Sequence, residues 1–349
     1  MIIGIPSEIK TGEKRVALAP ANVQSLCKKG VDILVQSGAG VSAGYPDAEY
    51  INAGATLVDS REKIFSDAEI VLQVQSFGAN NENSDSDLKL LRQGHLVIGM
   101  MDPLAAPQAA QTVATTGATA IALELVPRIS RAQSMDVLSS MATLAGYKSV
   151  LMGASASPRI FPMLMTAAGT LQPARVLIMG VGVAGLQACA TAKRLGAVVE
   201  AYDVRPAARE QIISVGAKPV ELDLDTGESE GEGGYAKEQG DDFLQRQREQ
   251  MTAVVAVQDI IITTAAIPGA KSPILVTEDM VKAMKPGAVI VDLAAERGGN
   301  CDLTQQGKTI SAHGVTIIGP ENVPSELAYH ASQMYGKNMQ TLLELILDD

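Results

Sequence analysis

Residues 175–205 read RVLIMGVGVAGLQACATAKRLGAVVEAYDVR, and this stretch decides the fold. A short apolar run ending at Met179 has the length and composition of a strand. Gly180, Gly182 and Gly185 follow in GxGxxG spacing, and an Ala- and Leu-rich stretch to Leu195 has the composition of a helix. A second apolar run, Val198–Tyr202, leads to Asp203. Strand, glycine turn, helix and strand in this order make a βαβ unit shaped for a dinucleotide. The first glycine permits the tight turn, the second lets backbone approach a pyrophosphate, and the third lets helix and sheet pack closely. With Val183 and Ala184, the turn opens a helix whose free N–H groups and positive dipole end face the phosphates. Asp203 lies 18 residues past Gly185, where a carboxylate accepts hydrogen bonds from a ribose and repels a 2′-phosphate. Arg205 is of the type that accommodates such a phosphate. The carboxylate stands at the strand end itself and weighs more, so the reading is NAD rather than NADP.

Outward from this unit the pattern repeats. Downstream, Asp259–Thr264, Ala288–Asp292 and Val315–Ile318 read as further strands, with helical stretches at Ala207–Val215 and Thr277–Met284. Upstream, Ile2–Ile5, Ile33–Gln36, Ile70–Gln75, Leu96–Met100 and Ala120–Leu123 alternate with helical stretches. Alternation of this kind predicts parallel α/β structure. A long Ala-, Met- and Ser-rich helix from about Met135 to Met152 reads as a connector, and the helical pattern of Ser325–Leu347 as a second one. The expected fold is α/β: two Rossmann-like domains with parallel sheets, joined by long helices, with a cleft between them. The expected domains are 1–140 with 321–349, and 141–320 as the NAD(H)-binding domain.

Composition narrows the function. The chain has 349 residues, 46% of them hydrophobic, which suits two domains with sizeable cores. The formal net charge is −11, and aromatic residues make up 3% with no Trp. Nucleic-acid binding is a poor fit to such a surface. Three widely spaced cysteines, Cys27, Cys189 and Cys301, argue against a disulfide framework and suit a reducing compartment. No two of the three histidines have metal-ligand spacing, so no metal is expected. The first residues, MIIGIPSEIK, lack a basic-then-apolar leader pattern, and no apolar run reaches the ~18–20 residues of a membrane span.

Two further segments stand out. Glu221–Gln250 holds ten acids against three bases, a net −7, and includes Gly227, Gly231, Gly233 and Gly234. It reads either as a solvated surface loop or as a lid over a ligand. Residues 127–140, PRISRAQSMDVLSS, form the densest polar cluster. Gln133, Asp136 and Ser139 are three apart and would share one face of a helix, and Asp136 also suits a helix cap. Hydride transfer needs no nucleophile and no general acid or base. It needs two nicotinamides held face to face by hydrogen bonds, a task for Arg, Gln, Asp and Ser.

These motifs together resemble a known family. Gly4, Pro6, Glu8, Glu13, Arg15-Val16-Ala17 and Pro20 are similar to the N-terminal signature shared by alanine dehydrogenases and proton-translocating nicotinamide nucleotide transhydrogenases. The 175–205 stretch resembles the second signature of that group, and PRISRAQSMDVLSS resembles the loop of the transhydrogenase branch. The likeness covers essentially the whole chain. It implies the NAD(H)-binding component, which passes hydride to NADP⁺ on a partner component, coupled to proton flow through a membrane-spanning component. It also implies a homodimer, cytoplasmic and peripheral on the inner (plasma) membrane through its partner subunits. By position, Arg128, Asp136 and Ser139 would place the nicotinamide, with Ile129, Ser130 and Arg131 in the same loop. Gln133 would reach toward the partner's NADP(H). Asp203, Val204 and Arg205 would lie at the adenosine end, and Thr264, Ala265 and Ala266 would line the far side. The segment 221–250 would be a mobile loop closing over NAD(H) through Gly234 and Tyr235. No metal is implied.

The alanine dehydrogenase branch resembles this chain but uses a Lys and a His on its substrate. Gln75 falls where that Lys is expected, and Asp102 or Pro103 near the His, while Arg15, which there holds a carboxylate, remains. An alanine-type dehydrogenase and a non-catalytic NAD-binding adaptor are the alternatives.

Overall fold

Runs rich in Val, Ile and Leu become strands buried on both faces, as parallel strands are. The computed structural model describes residues 1–223 and 241–347, the side chains of 241–244 apart. Its elements in chain order begin with β1 (Ile2–Ile5), α1 (Pro20–Cys27), β2 (Asp32–Gln36), α2 (Asp47–Asn52), β3 (Thr56–Val58), α3 (Arg61–Asp67) and β4 (Ile70–Gln75). Then come α4 (Ser84–Leu88), β5 (Leu96–Met100), α5 (Pro107–Thr115), β6 (Thr119–Ala122) and the long α6 (Val137–Ala156). The second half has β7 (Leu164–Thr166), β8 (Gly169–Leu171), β9 (Arg175–Met179), α7 (Val183–Arg194), β10 (Val198–Tyr202), α8 (Ala208–Ser214) and β11 (Lys218–Pro219). It ends with α9 (Asp241–Ala256), β12 (Ile260–Thr263), α10 (Glu278–Ala283), β13 (Val289–Asp292), β14 (Lys308–Ala312), β15 (Val315–Gly319) and α11 (Ala328–Leu347).

The chain divides into two units, Met1–Met141 with Pro324–Asp349, and Ala142–Val323. The first holds a six-stranded sheet in the order β3-β2-β1-β4-β5-β6, all pairs parallel. The second holds a seven-stranded sheet in the order β11-β10-β9-β12-β13-β15-β14. Both orders are doubly wound, with the reversal beside β1 in one and beside β9 in the other. Ligands of such sheets bind where the order reverses, at the carboxyl ends of the strands. In the second unit, alternate residues feed two cores. Val176, Ile178, Ile260, Ile262 and Val291 face one side, and Leu177, Met179, Ile261, Ile290 and Ile317 face the other.

The structure corrects the sequence reading at two places. The second sheet is not wholly parallel: β14 runs antiparallel to β15 and closes that edge. The acidic segment is not a loop through residue 250, because α9 begins at Asp241. Gln247, Met251 and Val255 recur every fourth residue on its buried side, and that spacing makes a helix of a charged run. The hairpin β7–β8 carries no buried residue at all. Among the described residues, no helix is long and apolar enough to cross a membrane.

Candidate functional site

The glycine turn follows β9 directly. Gly180 is left-handed, with φ +90°, and a Cβ on it would lie 2.8 Å from the Ala265 nitrogen. A Cβ on Gly185 would lie 2.0 Å from the Gly180 carbonyl oxygen, so the first turn of α7 seats directly on the glycine turn. A Cβ on Gly182 would meet no heavy atom within 4 Å. Gly182 is the N-cap of α7 and offers no side chain to its first-turn N–H groups. The turn is therefore closed against protein at Gly180 and Gly185 and open at Gly182. A pyrophosphate needs that combination.

Asp203 and Arg205 lock the other side of the turn. Asp203 Oδ2 accepts from the Val181 N–H at 2.7 Å, and Oδ1 from the Arg205 N–H at 2.9 Å. The Arg205 guanidinium grips both carboxylate oxygens at 2.9 Å and donates to the Val181 carbonyl at 3.1 Å. The sequence places this carboxylate against a ribose. In the structure it braces the glycine turn, with both its oxygens engaged by Arg205. Beyond β12, the Thr264 hydroxyl donates to the Gly180 carbonyl at 2.7 Å. Both backbone groups of Ala265 are taken by the Asn300 side chain, at 3.0 and 2.9 Å, while Ala266 is exposed. The sequence reading missed Asn300 and the buried Asp292 that holds it. Their signal is the strand ending in Asp292 followed by Gly298-Gly299-Asn300.

In the first unit, the polar cluster splits. Ser130–Met135 is a 3-10 turn, Asp136 is extended, and α6 starts at Val137. Gln133, Asp136 and Ser139 therefore do not share a helix face. Asp136 caps α6: its carboxylate accepts from the Ser139 N–H at 2.9 Å and the Ser139 hydroxyl at 2.6 Å. Arg128 Nε lies 3.6 Å from the same carboxylate. Arg128, Asp136 and Ser139 are thus brought together. Ile129, Ser130, Arg131 and Gln133 are exposed, with Ala132 and Met135 buried beneath them as anchors. Gly234 and Tyr235 lie outside the described residues.

The reversal point of the first sheet is filled by the chain's own polar groups. Arg15 is buried, its Nε 2.8 Å and Nη2 2.6 Å from the Glu13 carboxylate. Gln75 is buried at the end of β4, accepting from Lys10 Nζ at 2.7 Å and donating to Glu13 at 2.6 Å. Glu8 accepts from the N–H groups of Val74, at 2.6 Å, and Gln75, at 3.1 Å. Burial, with the charge of Glu13, pushes its carboxyl up to about 8.

Comparison with known proteins identifies the family. Residues 4–145 match the N-terminal domain and residues 149–349 the C-terminal domain described as alanine dehydrogenase/PNT. This chain belongs to the alanine dehydrogenase/PNT family. Within that family it is 47% identical over 344 residues to the first portion of the NAD(P) transhydrogenase alpha subunit of Rhodospirillum rubrum, covering 98% of this chain and 89% of the relative. It is 32% identical to alanine dehydrogenase of Bacillus subtilis, covering 93% and 80%. The solved transhydrogenase of Sinorhizobium meliloti has 42% identity and a TM-score of 0.88, covering 100% of this chain and 95% of that one. Both α/β units of the family are present, each doubly wound.

Proposed function

We propose that this chain is the NAD(H)-binding component of a proton-translocating transhydrogenase. The observation that carries the reading is the glycine turn at the reversal of the second sheet, open at Gly182 and closed elsewhere. Likeness to transhydrogenase subunits and the glutamine at position 75 favour this branch over the alanine dehydrogenases.

When bound, NAD(H) supplies the hydride that is exchanged. The chain binds and orients. The first turn of α7 takes the pyrophosphate, with Val183 and Ala184 supplying N–H groups. Asp203, Val204 and Arg205 take the adenosine end. Arg128, Asp136 and Ser139 hold the nicotinamide end, and Gln133 faces NADP(H) on the partner component. No side chain has to donate or remove a proton, because the chemistry is transfer between two held rings. The membrane-spanning component couples the exchange to protons, and the chain works as a peripheral homodimer on the cytoplasmic side. The exposed hairpin β7–β8 is the natural surface for the second copy.

Rapid mixing tests this. The purified chain meets an NADPH-loaded NADP-binding component and an oxidised NAD analogue of distinct absorbance. Fast transfer that needs both proteins is expected. NADH production from L-alanine and NAD⁺ by the chain alone, with no transfer, would reverse the assignment to the alanine dehydrogenase branch.

A further inference from the structure

Asn300 uses every hydrogen-bonding group it has. Its N–H donates to Asp292 Oδ2 at 2.7 Å, and its carbonyl accepts from the N–H groups of Leu275, at 2.8 Å, and Val276, at 3.0 Å. Its Oδ1 accepts from the Ala265 N–H at 3.0 Å. Its Nδ2 donates to the Ala265 carbonyl at 2.9 Å and the Pro273 carbonyl at 2.8 Å. A single planar carboxamide thus holds both backbone groups of one residue and a third group eight residues on. Neither a hydroxyl nor a carboxylate offers an acceptor and two donors in one plane.

Asp292 fixes Asn300 in turn. It is fully buried at the end of β13, and its oxygens accept from the N–H groups of Ala294, Asn300 and Cys301 and from the hydroxyls of Thr263 and Thr304. Gly298 and Gly299 are consecutive left-handed residues, with φ +91° and +79°, which turn the chain back under β13. A Cβ on Gly299 would lie 2.9 Å from Asp292 Oδ2, so this turn admits no other residue.

What Asn300 holds is the segment that meets the glycine turn. Residues 264–273 have no helix or strand of their own, yet Thr264 bonds Gly180 and the Ala265 nitrogen sits against Gly180. We propose that Asn300, set by Asp292, is a positioning residue of the nucleotide site, holding the Ala265 peptide and, through it, the glycine turn in the arrangement that receives NAD(H). This rests on the nucleotide reading given above. It also assigns Ala265 a structural role, since both its backbone groups are engaged, and leaves Thr264 and Ala266 to line the site.

The test compares NADH binding, followed by nucleotide fluorescence, in the intact chain, in Asn300→Ala and in a control, Val255→Ala. Val255 is buried in the core of the same unit, on α9, and takes no part in the Asn300 hydrogen bonds. Thermal unfolding of both variants gives the matching stability losses. NADH should bind about tenfold or more weakly in Asn300→Ala, since displacement of a binding group by about 1 Å is enough for that. The control should bind as the unsubstituted chain does. Asn300→Asp keeps the acceptor and loses the donors, and its affinity should recover as pH falls and the carboxyl regains one donor.

Unchanged affinity in a folded Asn300→Ala overturns the proposal. Should the variants fail to fold, amide exchange in the unsubstituted chain decides. The Ala265 N–H must be protected before NADH is added, and unprotected exchange there also overturns the proposal. A chain that binds no NADH at all, with Ala265 protected, refutes the nucleotide reading instead.

Discussion

Three glycines in one motif carry different loads, and the difference can be measured. Gly185 has no room: its Cβ would lie 2.0 Å from a carbonyl oxygen, and forcing atoms into packed space costs about 1–3 kcal/mol or more. Gly182 has room and an ordinary negative φ of −79°, so an alanine there costs only the difference between two N-caps, about 1 kcal/mol or less. Gly185→Ala should therefore lower the unfolding temperature and weaken NADH binding together. Gly182→Ala should leave unfolding nearly unchanged and still weaken NADH binding by about tenfold, the equivalent of ~1.4 kcal/mol. Calorimetry and fluorescence titration on the same two variants check this. Equal losses of stability would mean that the turn is merely packing. The motif was legible in the sequence because a glycine turn between a strand and a helix is a local pattern. The clamp of Asn300 on Ala265 was not, since 35 residues separate them and only the fold brings them together.

At the scale of elements, legibility follows burial. Strands β4, β12 and β13 are buried along their whole length, so their apolar runs announce them. Helix α5 buries only Val113, and β7 and β8 bury nothing, so no core imposes a period on them. Helix α9 is hidden by its charges. The end of β4 gives a pH prediction. Glu8 accepts the N–H groups of Val74 and Gln75 there, and those bonds, with the charge of Arg61, favour the carboxylate. Burial and the nearby Glu13 charge win, raising the carboxyl from an ordinary 4.5 to about 8. Arg15 and Tyr335 share the same cluster. Between those two values the folded chain keeps a proton that the unfolded chain has released. Stability from this group is therefore complete in acid and is lost as pH rises toward 8. Glu8→Gln stays neutral throughout. Its unfolding temperature should fall less between pH 5 and pH 8 than that of the unsubstituted chain. Parallel curves for the two proteins would show that Glu8 does not hold the proton.

For the whole molecule, the hairpin β7–β8 is the telling surface. Its side chains include Leu164 (40% exposed), Met165 (78%) and Leu171 (51%), with Met163 (55%) and Ile160 (39%) just before it. A two-stranded hairpin is barely stable alone in water, and an exposed apolar one asks for a cover. A second copy is the simplest cover, since two-fold dimers dominate among assemblies. The net charge of −11 on each copy opposes that association. Apolar contact must then supply the attraction, and the two origins respond oppositely to salt. Added salt screens the repulsion and should tighten a dimer held by the hairpin, whereas it would loosen one held by ion pairs. Sedimentation velocity across a salt series should show a dimer that strengthens with salt. Met165→Asp with Leu171→Asp should sediment as a monomer with unchanged far-ultraviolet circular dichroism, because neither side chain belongs to a core. A dimer that survives both substitutions, or that dissociates as salt is added, would place the contact elsewhere on the chain.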